Sequence, residues 1–465
     1  MAEVADERAG RHGATVPRGQ AADPPRGRFG RMFPALQPCD IGDEAIEALA
    51  EWIGSAERPP SPENHHIPAG YTYLGQFVDH DITFDPTSSL DRLNDPHALV
   101  NFRTPRLDLD SVYGAGPVAQ PFLYDKSSRE LRLLVGDKKV RDLPRNQQDR
   151  ALIGDARNDE NAIVAQLHLL FIRFHNTVVD ELIDERQVPE GERFEAAQRI
   201  VRWHYQWIVL HDFLERVVGE QMAKAALSER RFFRWRREPF IPVEFSGAAY
   251  RFGHSMVRAR YSIKRRAEGV KTLQTFPLFP DLEGRGALEE SHVIDWERFF
   301  ELPRAPGQPR VQPSLAIDTR ISAPLMRLPE GDPVLPRRNL LRGRALGLPS
   351  GQDIACVMHE PPLTEEQLQL DEIDNAKLRD EIRASTPLWY YILCEAASER
   401  GGSSAHLGPV GGRIVAEVLA GLVEGDPQSY LNLEPNWQPS ELGGDFTMAD
   451  LVTFVEEAEA RHDGA

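Results

Sequence analysis

Residues 75–84 read GQFVDHDITF, a stretch in which Gln76, Asp79, His80 and Asp81 interrupt mostly apolar neighbours. At about 100° per residue, a helix carries Gln76, Asp79 and His80 on one face, because they stand at i, i+3 and i+4. Asp81 falls on the other face, among Leu74, Phe77 and Val78. The helical reading therefore gives the stretch two separate polar tasks. A carboxylate among apolar residues stays ionised only beside a compensating cation, so Asp81 requires a positive partner.

A candidate follows at residues 103–114, RTPRLDLDSVYG, where Asp108 and Asp110 alternate near Thr104. Such oxygen-rich loops suit a hard cation such as calcium. An Asp-x-Asp pair alone more often marks a solvated acidic turn, and joining it to Asp81 narrows that choice only in part. A lone histidine is more often structural than catalytic, so His80 needs acid–base partners and a cofactor before it acquires a role.

The 465 residues are 41% hydrophobic, enough to bury a real core in several domains or in one large helical domain. The formal charge of −18, from 72 acidic and 54 basic residues, repels phosphate backbones and anionic membranes, so nucleic acid is not an expected partner. No run approaches the roughly 18 apolar residues a membrane span needs. The opening MAEVADERAGRHGATVPRGQ lacks the apolar region of a signal peptide, which makes the cytoplasm the default location, with non-classical export as the other route. Cys39, Cys356 and Cys394 are too few and too scattered for a disulfide framework or a CxxC metal site.

Residues 1–30 lack apolar period and read as a flexible tail, and residues 31–465 read as one large domain. The strong periodic signals are helical. Residues 158–183 place Ile163, Leu167, Leu170, Phe171, Phe174, Val178 and Leu182 at three- and four-residue steps, with Asn158 and Asp159 as N-cap candidates. A second helix runs through residues 192–218 and stops at Gly219. Residues 363–382 open with the capping box Thr364-x-x-Gln367, and PLWYYILCEAA and GGRIVAEVLAGLVEG supply two more helices. Convincing strands are scarce, so the fold class is mainly α with few or no strands.

The hexapeptide Gln76 to Asp81 resembles the distal-histidine motif of the animal-type haem peroxidases, the peroxidase–cyclooxygenase superfamily that includes myeloperoxidase and lactoperoxidase. Four further motifs follow in the family's order. RTPRLDLDSVYG is similar to its calcium loop, GDARNDE to the segment carrying its distal arginine, RFGH to its proximal motif, and Asn339 precedes a Gly-Leu-Pro as the proximal asparagine does. The resemblance covers roughly Phe33 to Phe454 and implies a helical haem peroxidase domain that carries haem b and one calcium ion.

The resemblance also implies roles. His80 would be the distal acid–base, with Gln76 beside it and Arg157 stabilising charge on the leaving oxygen. His254 would hold the haem iron, with Asn339 as its partner and Arg251 in the same motif. Calcium would take Asp81, Thr104, Asp108, Asp110 and the backbone carbonyl of Arg106. Asp79 and Glu160 match the carboxylates that form ester bonds to haem in mammalian relatives. Asn161 stands where myeloperoxidase has a vinyl-linked methionine, so a sulfonium link is excluded and diester attachment is implied.

The implied reaction is oxidation by hydrogen peroxide, through a ferryl intermediate, of small anions (halide, thiocyanate) or small aromatic donors. The absence of a disulfide framework and of a signal peptide suits a bacterial member. Arg251 stands where dioxygenating relatives carry a radical-forming tyrosine, and Tyr250 is one residue away, which disfavours the alternative of a haem-dependent fatty-acid dioxygenase. A non-catalytic haem and calcium protein of the adhesion type is the remaining reading. Among other residues, His168, His175, His204 and His211 read as structural, Trp203, Trp207 and Trp389 to Tyr391 as core, and His65 and His66 as loop residues near an access route.

Overall fold

The computed structural model describes residues 29–83, 103–128, 131–136, 142–183, 188–265, 272–284, 286–303, 310–328, 331–371, 373–439 and 444–463. Nearly all of the tail expected at residues 1–30 lies outside them. The described chain is mainly helical, as its periodicity predicts. Its strands form two small antiparallel sheets, Glu63–Pro68 with Pro313–Leu315 and Arg260–Tyr261 with Phe276–Pro277. His65 and His66 sit exposed on the first of these strands rather than in a loop.

The central helix is Ala162–Val178, continued by a π-turn over Val179–Ile183. Its run Ala162–Glu181 is long and apolar enough to cross a membrane, contrary to the expectation that no such run exists. Yet 89% of that window is buried inside the protein, so the core already uses its apolar surface. The N-cap is Asn161, whose side chain accepts from Ile163 N and Val164 N, rather than Asn158 or Asp159. Those two are engaged elsewhere: Asn158 bonds two histidines, and Asp159 takes both Nη atoms of Arg145 at 2.8 Å.

The second long helix is Arg193–Ile208, followed by a π-turn and the helix Leu214–Val218. It ends at Gly219, whose φ of 82° an L side chain would strain to adopt. The capping box closes, with Thr364 N donating to Gln367 Oε1 at 2.9 Å and Gln367 N to Thr364 Oγ1 at 3.3 Å, but no helix propagates from it. Leu368 and Leu370 are both buried, and residues two apart cannot share a helical face. The helix of this region begins only at Ala376, capped by Asn375.

Leu388–Ala397 and Pro409–Gly425 are helices, as their periodicity predicts, and Glu395 on the first accepts from Val410 N and Gly411 N at the start of the second. Asp43–Ile53, Leu335–Ala345 and Met448–Asp463 add helices that periodicity alone did not single out. One continuous apolar core runs from Phe29 to Val455. Trp203 and Trp389 to Tyr391 lie in it, and Trp207 is half-buried at its edge.

The helix Gly70–Ile82 threads through this core. Phe77 stacks on Phe171 at 4.8 Å, which fixes it against the central helix. At Gly75 a Cβ would stand 3.3 Å from the Phe213 ring and 3.9 Å from Tyr250 Oη. The missing side chain lets the segment Ala249–His254 pack close to the same helix.

Candidate active site

His80 is buried near the end of Gly70–Ile82, with Nδ1 2.8 Å from Asn158 Oδ1. An amide oxygen only accepts, so this contact places a proton on Nδ1 and leaves a lone pair on Nε2. On the same helical face, Gln76 donates from Nε2 to Glu160 Oε1 and accepts from Asn161 Nδ2 at 3.2 Å. Glu160 Oε1 lies 3.9 Å from His80 Nε2. Thr83 Oγ1 donates to Asp79 Oδ1 at 3.2 Å. The short turn Ala156–Asp159 thus brings Glu160 and Asn158 to the helix that carries Gln76, Asp79 and His80.

Arg157 lies in the same turn, and its Nη2 donates to the carbonyls of His80, at 3.0 Å, and Thr83. A cation at a helix C-terminus satisfies carbonyls that have no intrahelical partner. Its Nε and Nη2 also reach Asp155, at 3.1 and 2.8 Å. Burial pushes the Asp155 carboxyl up, but the Arg157 hydrogen bond and charge, with His80 and Arg103, outweigh it and hold the group well below the usual carboxylate range. Asp155 is a residue the motif reading passed over, although it precedes Arg157 by two positions.

The proximal group is built from distant pieces. His254 ends the segment Ala249–His254, and Asn339 on Leu335–Ala345 places Nδ2 2.9 Å from His254 Nδ1. Arg251 Nη1 donates to Asn339 Oδ1 at 3.3 Å, and its backbone carbonyl accepts from Trp389 Nε1. Burial, then the Arg251 charge, pushes the His254 imidazole down to about 3, so it is neutral at ordinary pH. In this amide orientation His254 Nδ1 is an acceptor. Binding a metal through Nε2 requires the proton on Nδ1, and hence a half-turn of the Asn339 amide.

Asp81, Asp108 and Asp110 each offer an oxygen, and these atoms lie within 4.8 Å of one another. Burial and mutual repulsion push Asp81 and Asp110 up, Asp110 to about 7, and burial also raises Asp108. Thr104 Oγ1 donates to Asp108 Oδ2 at 2.9 Å. Ser111 Oγ donates to Asp81 Oδ1 at 2.9 Å, a hydroxyl that the Asp-x-Asp pattern did not mark. Arg106 contributes its main chain to the loop, its N donating to Thr104 O at 2.8 Å. Such a set of oxygens fits calcium.

The sequence profile described as Animal haem peroxidase matches residues 87–384. The chain belongs to the animal haem peroxidase family. It is 28% identical to the chorion peroxidase of Drosophila melanogaster over 349 residues, 70% of this chain and 41% of that protein. Human eosinophil peroxidase is 30% identical over 150 residues, 32% of this chain and 19% of its own. The chain thus spans less than half the length of these curated relatives. Among solved structures, Peroxidase A from Dictyostelium discoideum superposes with a TM-score of 0.66 at 16% identity, over 95% of each chain. Fatty acid alpha-dioxygenase from Oryza sativa reaches 0.62 at 16% identity, over 94% of this chain and 80% of its own. At that identity the likeness is one of fold.

Two observations test whether a family member's haem suits this site. Gly253, between buried Phe252 and His254, has open space where a side chain would stand. Tyr250 Oη, buried against the helix that carries Asp79, has no hydrogen-bond partner. Room beside a neutral imidazole suits a flat, metal-bearing group, and the residues present fit a haem.

Proposed function

We propose that this protein is a haem peroxidase that uses hydrogen peroxide to oxidise small anions, such as halide or thiocyanate, or small aromatic donors. The observation that carries the reading is His80: its Nδ1 faces the Asn158 carbonyl oxygen, which leaves Nε2 as a base on the face that also holds Gln76, Asp79 and Glu160. A haem bound here would supply the iron and the oxidising equivalents. His254 would hold it through Nε2, with Asn339 turned to accept from Nδ1.

The remaining work belongs to side chains of this chain. His80 Nε2 accepts a proton from the inner oxygen of peroxide and returns it to the outer one. Arg157, tied to the carbonyls beside His80, keeps a positive charge next to the base and favours negative charge developing on oxygen. Asp79 and Glu160 would be the carboxylates that form ester bonds to the haem, and Gln76 holds Glu160 by donating from Nε2 to Oε1. Asp81, Asp108, Asp110, Thr104 and the Arg106 carbonyl would bind calcium on the opposite face of the same helix.

Absorption spectra of the purified protein, followed by stopped-flow mixing with peroxide and a panel of bromide, iodide, thiocyanate and phenolic donors, test the reading. The expected result is a spectral change within milliseconds of adding peroxide, and donor oxidation. Oxygen uptake with a fatty acid and no reaction with peroxide would move the assignment to a dioxygenase. Wild-type turnover in His80→Ala would overturn the catalytic role.

A further inference from the structure

Four histidines lie along the two long helices, and three of them bond groups remote from His80. His175 meets Tyr113 Oη and the Leu131 carbonyl, His204 meets the Ile200 carbonyl, and His211 meets Tyr430 Oη. His168 is different. Its Nδ1 lies 2.9 Å from Asn158 Nδ2, the other end of the amide whose oxygen faces His80. Asn158 and His168 are both 0% exposed, so water does not replace either contact.

We infer that Asn158 is a positioning residue: its Oδ1 keeps the proton of His80 on Nδ1 and the lone pair on Nε2, while its Nδ2 is directed at Nδ1 of His168. The inference rests on the peroxidase reading of the same site. An amide has one accepting and one donating end, so its two neighbours are coupled. With Nδ2 directed at His168, that ring must present a lone pair at Nδ1. Burial supports this by pushing the His168 imidazole down to about 3, which keeps it neutral.

A half-turn of the amide would reverse both partners. Nδ2 would then face His80 Nδ1, the His80 proton would move to Nε2, and the nitrogen facing the site could no longer accept one. In the working orientation the step balances simply. The O–H bond of peroxide breaks and leaves its electron pair on oxygen, and an N–H bond forms at His80 Nε2. The resulting imidazolium already donates its other N–H to Asn158 Oδ1. Positive charge on the ring strengthens that hydrogen bond as the proton arrives.

The test uses the haem-loaded protein and two probes. Hydrogen cyanide must shed a proton to bind ferric haem, whereas carbon monoxide binds ferrous haem without proton transfer. Asn158→Leu is expected to slow cyanide association and the peroxide reaction by about 100-fold, the ordinary worth of a general base, while carbon monoxide association is unchanged. Asn158→Asp keeps an acceptor for His80 Nδ1–H and is expected to restore most of both rates. Equal effects on cyanide and carbon monoxide, or no recovery with aspartate, would overturn the assignment.

If Asn158→Leu fails to fold, His168→Phe asks the same question: cyanide association is expected to fall with carbon monoxide unaffected, and two unaltered rates would overturn the assignment. A wild-type protein that binds haem but reacts with neither cyanide nor peroxide would remove the peroxidase reading itself. A reactive wild type that is indifferent to Asn158 removes only this inference.

Discussion

Arg103 donates to Asp155 at 2.9 Å, and this contact joins the two sides of the helix Gly70–Ile82. The same guanidinium donates to Asp110 in the acidic cluster at 2.9 Å, while Asp155 holds Arg157 beside His80. The acidic cluster and His80 are therefore linked twice: through the adjacent backbone positions of Asp81 and His80, and through the chain of side chains Asp110, Arg103, Asp155 and Arg157.

Asp155→Asn should loosen Arg157 and lower the rate of reaction with peroxide by about tenfold, a fraction of the loss when a whole charge-stabilising donor is removed. Breaking a buried pair also costs about 3 kcal/mol. The pH dependence has a definite sign. Asp155 titrates lower in the folded than in the unfolded chain, so its contribution is complete above about pH 4 and drains as the pH falls further. Urea titrations between pH 2 and 7 should show a shallower acid limb in Asp155→Asn. An acid limb equal to that of the wild type would rule out this pair as a source of stability.

Calcium should stabilise the protein by about 2.7 kcal/mol at 100 times its dissociation constant. Chelation should lower the thermal midpoint and shift the haem spectrum, because Asp81 adjoins His80 and Arg103 reaches Asp155. Asp108→Ala should abolish the response to added calcium. A midpoint indifferent to both chelator and calcium would exclude the site.

Acid-acetone extraction should leave haem on the polypeptide. Asp79→Val and Glu160→Gln should each free one link, and the double variant should release the haem entirely, as mass spectrometry of the chain would report. Complete release from the wild type would refute ester attachment. His254→Ala should lose stable haem binding, and an unaltered histidine-ligated spectrum would refute the proximal assignment.

Several site features were legible in the chain because they are local. The i, i+3, i+4 spacing separates Gln76, Asp79 and His80 from Asp81, and the structure keeps that division: His80 meets Asn158, while Asp81 accepts from Leu109 N and Ser111. The capping box at Thr364 was legible too, yet misleading. Its two hydrogen bonds form, but burial of both Leu368 and Leu370 overrides the helix they would start. Asn158 and Asp159 looked like N-caps and are used instead by His80, His168 and Arg145. No local pattern reveals that, since the His80 contact spans 78 positions of sequence.

The amino-acid sequence by itself determined the helical class, the family motifs in their order, and the identity of the two imidazoles and the carboxylates around them, since periodicity and residue type are written along the chain. Only the tertiary structure decided which group each of them meets. Asn158 faces two histidines, Arg157 caps the helix that carries His80, and Arg103 ties the acidic cluster to Asp155. These pairings depend on a packed core in which most buried donors find an acceptor, and the acceptor is a neighbour in space rather than in sequence.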